Sequence, residues 1–139
     1  MSNSITVETT VKATSKKVWE CWTKPDHITH WAFASDDWMA PSAENELKVG
    51  GRFTTRMEAK DGSAGFDFGG TYTVVEPERR LEYTIGDGRH VTVEFIPAPE
   101  GVRVRETFEA ENVYPESQQR QGWQAILDNF RKYTESLPD

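Results

Sequence analysis

Residues 116–137, ESQQRQGWQAILDNFRKYTESL, place Trp123, Ile126, Leu127, Phe130 and Tyr133 at i, i+3, i+4, i+7 and i+10. That spacing draws one apolar stripe along an α-helix, and Pro115 just before it suits a first turn. A striped helix needs an apolar surface to lie on, and the residues before it supply a sheet. From Leu47 onward the hydrophobic period is two. Phe53, Thr55 and Met57 share a face, followed by an Asp61-Gly62 turn; Phe66, Phe68, Gly70, Tyr72 and Val74 follow, up to Glu76-Pro77-Glu78. Leu81, Tyr83 and Ile85 alternate up to Asp87-Gly88, Val91, Val93 and Phe95 up to the turn at 97–101, and Val102, Val104 and Phe108 after it. No helical interval separates these runs, so they read as an antiparallel meander rather than as βαβ units.

Upstream, ITVETTV (5–11) alternates Ile5, Val7, Thr9 and Val11, a first strand. Thr14 or Ser15 is placed to cap a helix over 15–23, and Pro25 divides it from a second short helix over 26–31. Residues 32–46 mix aromatics, acids and Pro41, which predicts a long loop or lid containing a short strand. The expectation is an α+β chain with six or seven strands, two short helices after the first strand and one long C-terminal helix. No linker, repeat or low-complexity tract divides it, so residues 1–139 read as one domain.

Composition narrows the function classes. Sixteen Lys and Arg against 23 Asp and Glu give a formal net charge of −7, which removes the phosphate-neutralising attraction behind nucleic-acid binding and disfavours an anionic membrane surface. No apolar run has membrane-spanning length, and the first residues lack the basic and apolar regions of a secretion signal, which predicts a cytoplasmic protein. The lone Cys21 lies in a tryptophan-rich helix without an activating histidine and reads as a buried, inert thiol. His27 and His30 with Asp26 make only an i, i+3 pair with no third ligand at diagnostic spacing, so no metal is expected there. His90 is out of phase with Val91 and Val93 and is expected to face outward. The glycine pairs are not followed by a helix N-terminus and read as turns and bends, not a phosphate loop. No nucleophile elbow or Ser/His/Asp order is present, no cofactor is implied, and no catalytic residue is assigned.

Glu106 interrupts the inward series Val102, Val104, Glu106, Phe108. An inward carboxylate needs a partner or an elevated pKa, because an unpaired buried charge is costly. It is therefore a candidate ligand anchor or general base. The alternatives are a pair with Arg56 or Arg105, a place near the strand end, or solvation through a bulge.

The order of elements resembles the helix-grip fold of the START/SRPBCC superfamily, in which a curved sheet wraps the last helix. Gly50-Gly51-Arg52-Phe53, the segment MEAKDG from Met57 to Gly62, Pro77 before Arg80-Leu81, Trp31 after the second helix, and Gly122-Trp123 running into QAILDNF are similar to the family of activators of heat-shock-protein-90 ATPase (Aha1-type). The resemblance implies a cavity between sheet and helix for a small hydrophobic ligand. Its lining is expected from Phe53, Met57, Phe66, Phe68, Tyr72, Tyr83, Val91, Val93, Glu106, Trp123 and Leu127, with Trp31 and Trp38 near the mouth; Asp36-Asp37 in the irregular segment read as keeping a mobile loop soluble, with gating of that mouth as the alternative. Core packing is the competing reading of every aromatic in that set. The implied role is carriage, sensing or stress response. Two alternatives stay open: a regulator of a heat-shock-protein-90-type chaperone, and a polyketide-cyclase-like enzyme using Glu106. A monomer or weak homodimer is expected.

Overall fold

The computed structural model describes residues 3–138. In chain order its elements are β1 (Ser4–Val11), α1 (Ser15–Thr23), α2 (Pro25–Ile28), β2 (Trp38–Asn45), β3 (Arg52–Ala59), β4 (Gly65–Glu76), β5 (Arg80–Ile85), β6 (His90–Ala98), β7 (Gly101–Glu109) and α3 (Glu116–Ser136). The strands form one curled antiparallel sheet in the order β1-β7-β6-β5-β4-β3-β2. From β2 to β7 this is a meander, as the period-two runs require; β1 then closes onto β7, with Val7 opposite Glu106 and Ile5 opposite Phe108. This is the helix-grip arrangement expected from the element order.

Inward parity survives along most of the sheet. Ile5, Val7 and Val11, Leu81, Tyr83 and Ile85, Val91, Val93 and Phe95, and Val102, Val104 and Phe108 all join the buried core. The parity fails in β4, where the register shifts between Tyr72 and Val74, so that Val75 pairs with Leu81 and packs on the core. A bulge inserts one residue and flips every later side chain, so the alternation of Val74 with Tyr72 does not extend to the core face.

The short strand expected inside the loop or lid of residues 32–46 is the eight-residue β2, paired with β3. Its alternation is hidden by a second irregularity, between Met39 and Ser42, at Pro41. Proline lacks a donor for the ladder and is tolerated here because β2 is an edge strand. The second short helix spans only Pro25–Ile28 rather than 26–31, and Thr29 is its C-cap. Thr14, not Ser15, caps α1, accepting a hydrogen bond from the Lys17 backbone N–H at 3.2 Å. Pro115 occupies the N-cap of α3 rather than a place in its first turn.

The stripe on α3 packs on β1 and α1, with Leu127 and Phe130 fully buried. Residues beside the stripe cover the open edge of β1: Arg120 donates to the Thr6 carbonyl at 2.7 Å and Gln124 to the Glu8 carbonyl at 3.2 Å. These bonds satisfy acceptors that would otherwise template pairing with another chain. Because α3 is drawn to the β1 side, the concave surface over β3, β4 and β5 is left with a space above it. Among the described residues no helix is long and apolar enough to cross a membrane.

Candidate functional site

That space is a cavity of about 400 Å³ between the sheet and the three helices. Its floor is the inward face of the middle strands: Phe53, Thr55 and Met57 from β3, Phe66, Phe68 and Tyr72 from β4, Tyr83 from β5 and Glu106 from β7. Trp123, Ile126 and Gln119 of α3 form the roof. Trp22 of α1, Ile28 of α2, and Trp31 and Ala32 after it close one end, and Arg89, Glu111 and Tyr114 border the other.

The aromatic rings brace one another as well as the space. Trp123 stacks on Phe108 with centroids 3.8 Å apart and planes at 11°, while Phe53 meets Tyr83 edge-on at 4.8 Å. Trp22 and Trp31 lie 4.9 Å apart and both meet Phe130 edge-on. Offset and edge-to-face pairs fix ring orientation beyond what area burial alone achieves. Trp31 is further pinned by its indole N–H, which donates to the Cys21 carbonyl at 2.9 Å.

Most polar groups on the wall are already committed. The Tyr72 hydroxyl donates to Asn45 Oδ1 at 2.7 Å, and Asn45 Nδ2 donates to the Thr23 carbonyl at 2.7 Å. Burial pushes the Tyr72 hydroxyl up to about 12. Arg89 holds Asp87 at 2.8 Å and the Glu109 carbonyl at 2.9 Å. Gln119 uses both ends of its amide, accepting from the Glu111 N–H and donating to the Glu111 and Tyr114 carbonyls, which ties the loop before α3 to the helix.

Glu106 is different. Its side chain faces inward and is only 6% exposed, flanked across the ladder by Val7 and Val93 and along its own strand by Val104 and Phe108. The two arginines that reading along the chain offered as partners are taken, Arg105 by Glu8 and Arg56 by Glu58 and Asp67. Among the described residues the carboxyl has no hydrogen-bond or ion-pair partner, and desolvation alone raises it to about 8. It is therefore a neutral carboxylic acid at pH 7, able both to donate and to accept. The Tyr83 hydroxyl opens into the same cavity, also without a partner among the described residues, and is raised well above its ordinary value by burial and then by the Glu106 charge.

Of the residues expected to line a cavity, Trp31, Phe53, Met57, Phe66, Phe68, Tyr72, Tyr83, Glu106 and Trp123 border this one. Trp38 does not; it packs beside Phe66 with centroids 6.0 Å apart. Val91 and Val93 lie inside the floor, with no surface left to present, and Leu127 is buried in the core while its neighbour Ile126 faces the cavity. The helix is rotated so that the flank of the apolar stripe, not its centre, looks into the space. Phe66 is 48% exposed and stands at the open rim. Sequence reading passed over Trp22, Ile28, Ala32, Asn45, Thr55, Arg89, Glu111, Tyr114, Gln119 and Ile126. Three of these had a usable signal: Thr55 shares the parity of Phe53 and Met57, Gln119 lies one turn before Trp123, and Ile126 belongs to the apolar stripe itself.

The histidines stand elsewhere. His27 Nδ1 meets the Tyr133 hydroxyl at 2.5 Å and His30 stacks on the same ring, while His90 faces outward and pairs with Glu82 at 2.9 Å. Cys21 is buried, and burial pushes its thiol up, the wrong direction for a nucleophile.

Residues 12–135 match the family described as Activator of Hsp90 ATPase homolog 1-like protein. Two solution structures are similar in both sequence and fold. An AHSA1-like protein from Aeromonas hydrophila is 47% identical with a TM-score of 0.91, the match covering 96% of this chain and 93% of that one. A protein from Cytophaga hutchinsonii is 50% identical with a TM-score of 0.82, covering 95% and 92%. A crystal structure from Chromobacterium violaceum shares the fold alone, at 23% identity and a TM-score of 0.87 over 99% of both chains. No curated protein matches the sequence significantly.

Proposed function

Because the chain belongs to the Activator of Hsp90 ATPase homolog 1-like family, whose helix-grip fold leaves room between sheet and helix, we propose that it is a cytoplasmic binding protein for a small apolar molecule. One observation carries this reading: an aromatic-walled cavity of about 400 Å³ contains a buried acid that has no partner among the described residues. A cavity that served packing alone would gain stability by closing on itself or by placing a valine at this position, since an unmet buried polar group costs about 1–3 kcal/mol. The cost is offset when a ligand supplies the partner.

Binding draws on apolar contact. A ligand burying roughly 200 Å² of apolar surface gains about 5 kcal/mol before the entropy of association is subtracted. The side chains proposed to make that contact are Trp31, Phe53, Met57, Phe66, Phe68, Tyr72, Tyr83 and Trp123. Polar orientation comes from Glu106 and Tyr83. Native mass spectrometry of the protein taken from its own cells, followed by a thermal-shift screen of apolar metabolites, tests the proposal, because a ligand that prefers the native state raises stability by mass action. A bound or strongly stabilising compound supports it. No bound species and no stabilisation across the screen would move the function to a protein partner.

That second reading also has an observation behind it. Val113 and Tyr114, in the loop before α3, are 77% and 57% exposed, as apolar groups at a contact surface often are before the partner docks. Stimulation of an Hsp90-type ATPase by the purified protein is the measurement that separates it from ligand carriage.

A further inference from the structure

If the cavity holds a small apolar molecule, its unused polar groups define what that molecule must carry. Asn45, Tyr72, Arg89 and Gln119 are bonded within the protein, and Glu111 accepts from the Tyr114 N–H. The Glu106 carboxyl and the Tyr83 hydroxyl remain, close enough for the charge of one to act on the other. The Thr55 hydroxyl, on the inward face of β3, has no partner among the described residues either.

Charge decides between ligand classes. An anionic head group seated beside Glu106 finds no countercharge there among the described residues: no cation acts on that carboxyl, and Arg89 stands at the rim with its Nε on Asp87 and its Nη1 on the Glu109 carbonyl. An ammonium would require Glu106 to ionise between Val7, Val93 and Phe108, with few groups nearby to satisfy the remaining N–H bonds. Two ions taken out of water in such surroundings lose more than their attraction returns unless their other hydrogen bonds are met. An uncharged acceptor meets neither obstacle. A carbonyl oxygen has two lone pairs, and the Glu106 carboxyl and the Tyr83 hydroxyl offer one O–H each. An acid kept neutral by apolar surroundings is an established donor to such oxygens, as where a tyrosine and a protonated aspartate together form an oxyanion hole.

We propose that the cavity selects an uncharged ligand bearing a carbonyl oxygen, held by the Glu106 carboxyl and the Tyr83 hydroxyl acting together as donors. The inference rests on the small-ligand reading above. It makes binding dependent on the proton of Glu106: the titratable groups on the surrounding walls are Tyr72 and Tyr83 on the sheet side and Arg89 and Glu111 at the rim, while β1, β6 and α3 present Val7, Val93, Trp123 and Ile126. Of these, Glu106 is the group raised to about 8, so donation fails first there as the pH rises.

The test uses three probes of nearly one shape, benzophenone, diphenylmethane and diphenylmethylamine, followed by amide chemical-shift titration. At about pH 6.5 benzophenone should bind roughly tenfold tighter than diphenylmethane, the yield of two hydrogen bonds near 0.5–1 kcal/mol each. That advantage should fall to about threefold, the share of Tyr83 alone, by about pH 9.5 in the wild-type protein and persist in full there in Glu106→Gln, whose amide N–H donates at every pH. Tyr83→Phe should remove part of it at both pH values. Equal binding of benzophenone and diphenylmethane near neutrality would overturn the inference while leaving the cavity a ligand site. So would the same alkaline loss in Glu106→Gln, or tighter binding of the amine than of the ketone. Failure of all three probes to bind would count against the small-ligand reading itself.

Discussion

Replacing Glu106 by Gln should remove a pH dependence of stability that the buried carboxyl imposes on the wild-type protein. The folded carboxyl rises from an ordinary 4.5 to about 8 because burial disfavours its charged form. Between those values the native state holds a proton that the unfolded chain has released, so unfolding sheds a proton and stability falls as pH rises. Each pH unit in that window is worth about 1.4 kcal/mol, and the whole window about 5 kcal/mol. This contribution is fully present below the unfolded value and gone above the folded one. The glutamine side chain has the same shape and never ionises, so the variant loses the slope. Urea unfolding of both proteins at about pH 5, 6, 7 and 8, at one ionic strength, gives the difference in unfolding free energy at each pH. Other titrations cancel in that difference, which should grow in favour of the variant by about 1.4 kcal/mol per unit. Parallel pH profiles, offset or not, would refute the reasoning, because they would mean that Glu106 is ionised in the native state or titrates alike in both states.

Four further outcomes follow from the packing. Phe130→Ala, at a fully buried position under Trp22 and Trp31, should cost about 3–5 kcal/mol in chemical unfolding. Trp123→Ala removes a half-buried ring stacked on Phe108 and should cost less, about 2–3 kcal/mol, while lowering the affinity for any apolar probe; Trp123→Phe should recover most of both. Asn45→Ala leaves the Tyr72 hydroxyl and the Thr23 carbonyl without partners, an expected loss of about 1–3 kcal/mol seen as a lower thermal midpoint. Gly101 has φ +155°, and a Cβ there would come within 2.0 Å of the Val11 carbonyl oxygen; Gly101→Ala should therefore cost about 2–4 kcal/mol by loosening the β1–β7 pairing, measurable as faster amide exchange at Thr9 and Val11.

Much of the architecture was legible because its signals are local. Alternation over 53–57, 81–85, 91–95 and 102–108 and the helical stripe over 123–133 each arise from one element meeting one apolar surface, and they place Glu106 inward without any structure. Where a bulge interrupts that logic, at Pro41 and after Tyr72, the pattern weakens: β2 reads only as a short strand within a loop or lid, and Val74 reads as core in place of Val75. The inserted residue is invisible in the sequence, since only the partner strand reveals that two residues oppose one.

The chain alone thus determined the sheet, the long helix and the inward acid, products of periodicity within single segments, while its motifs carried the family likeness. Tertiary structure decided the site. Whether Glu106 is paired depends on where Arg56 and Arg105 reach, and each is drawn to acids on its own or a neighbouring strand. Whether Leu127 or Ile126 meets the cavity depends on the rotation of α3, set by its bonds to the edge of β1. Both are outcomes of contacts between residues far apart in sequence, and a cavity is the volume those contacts leave unfilled.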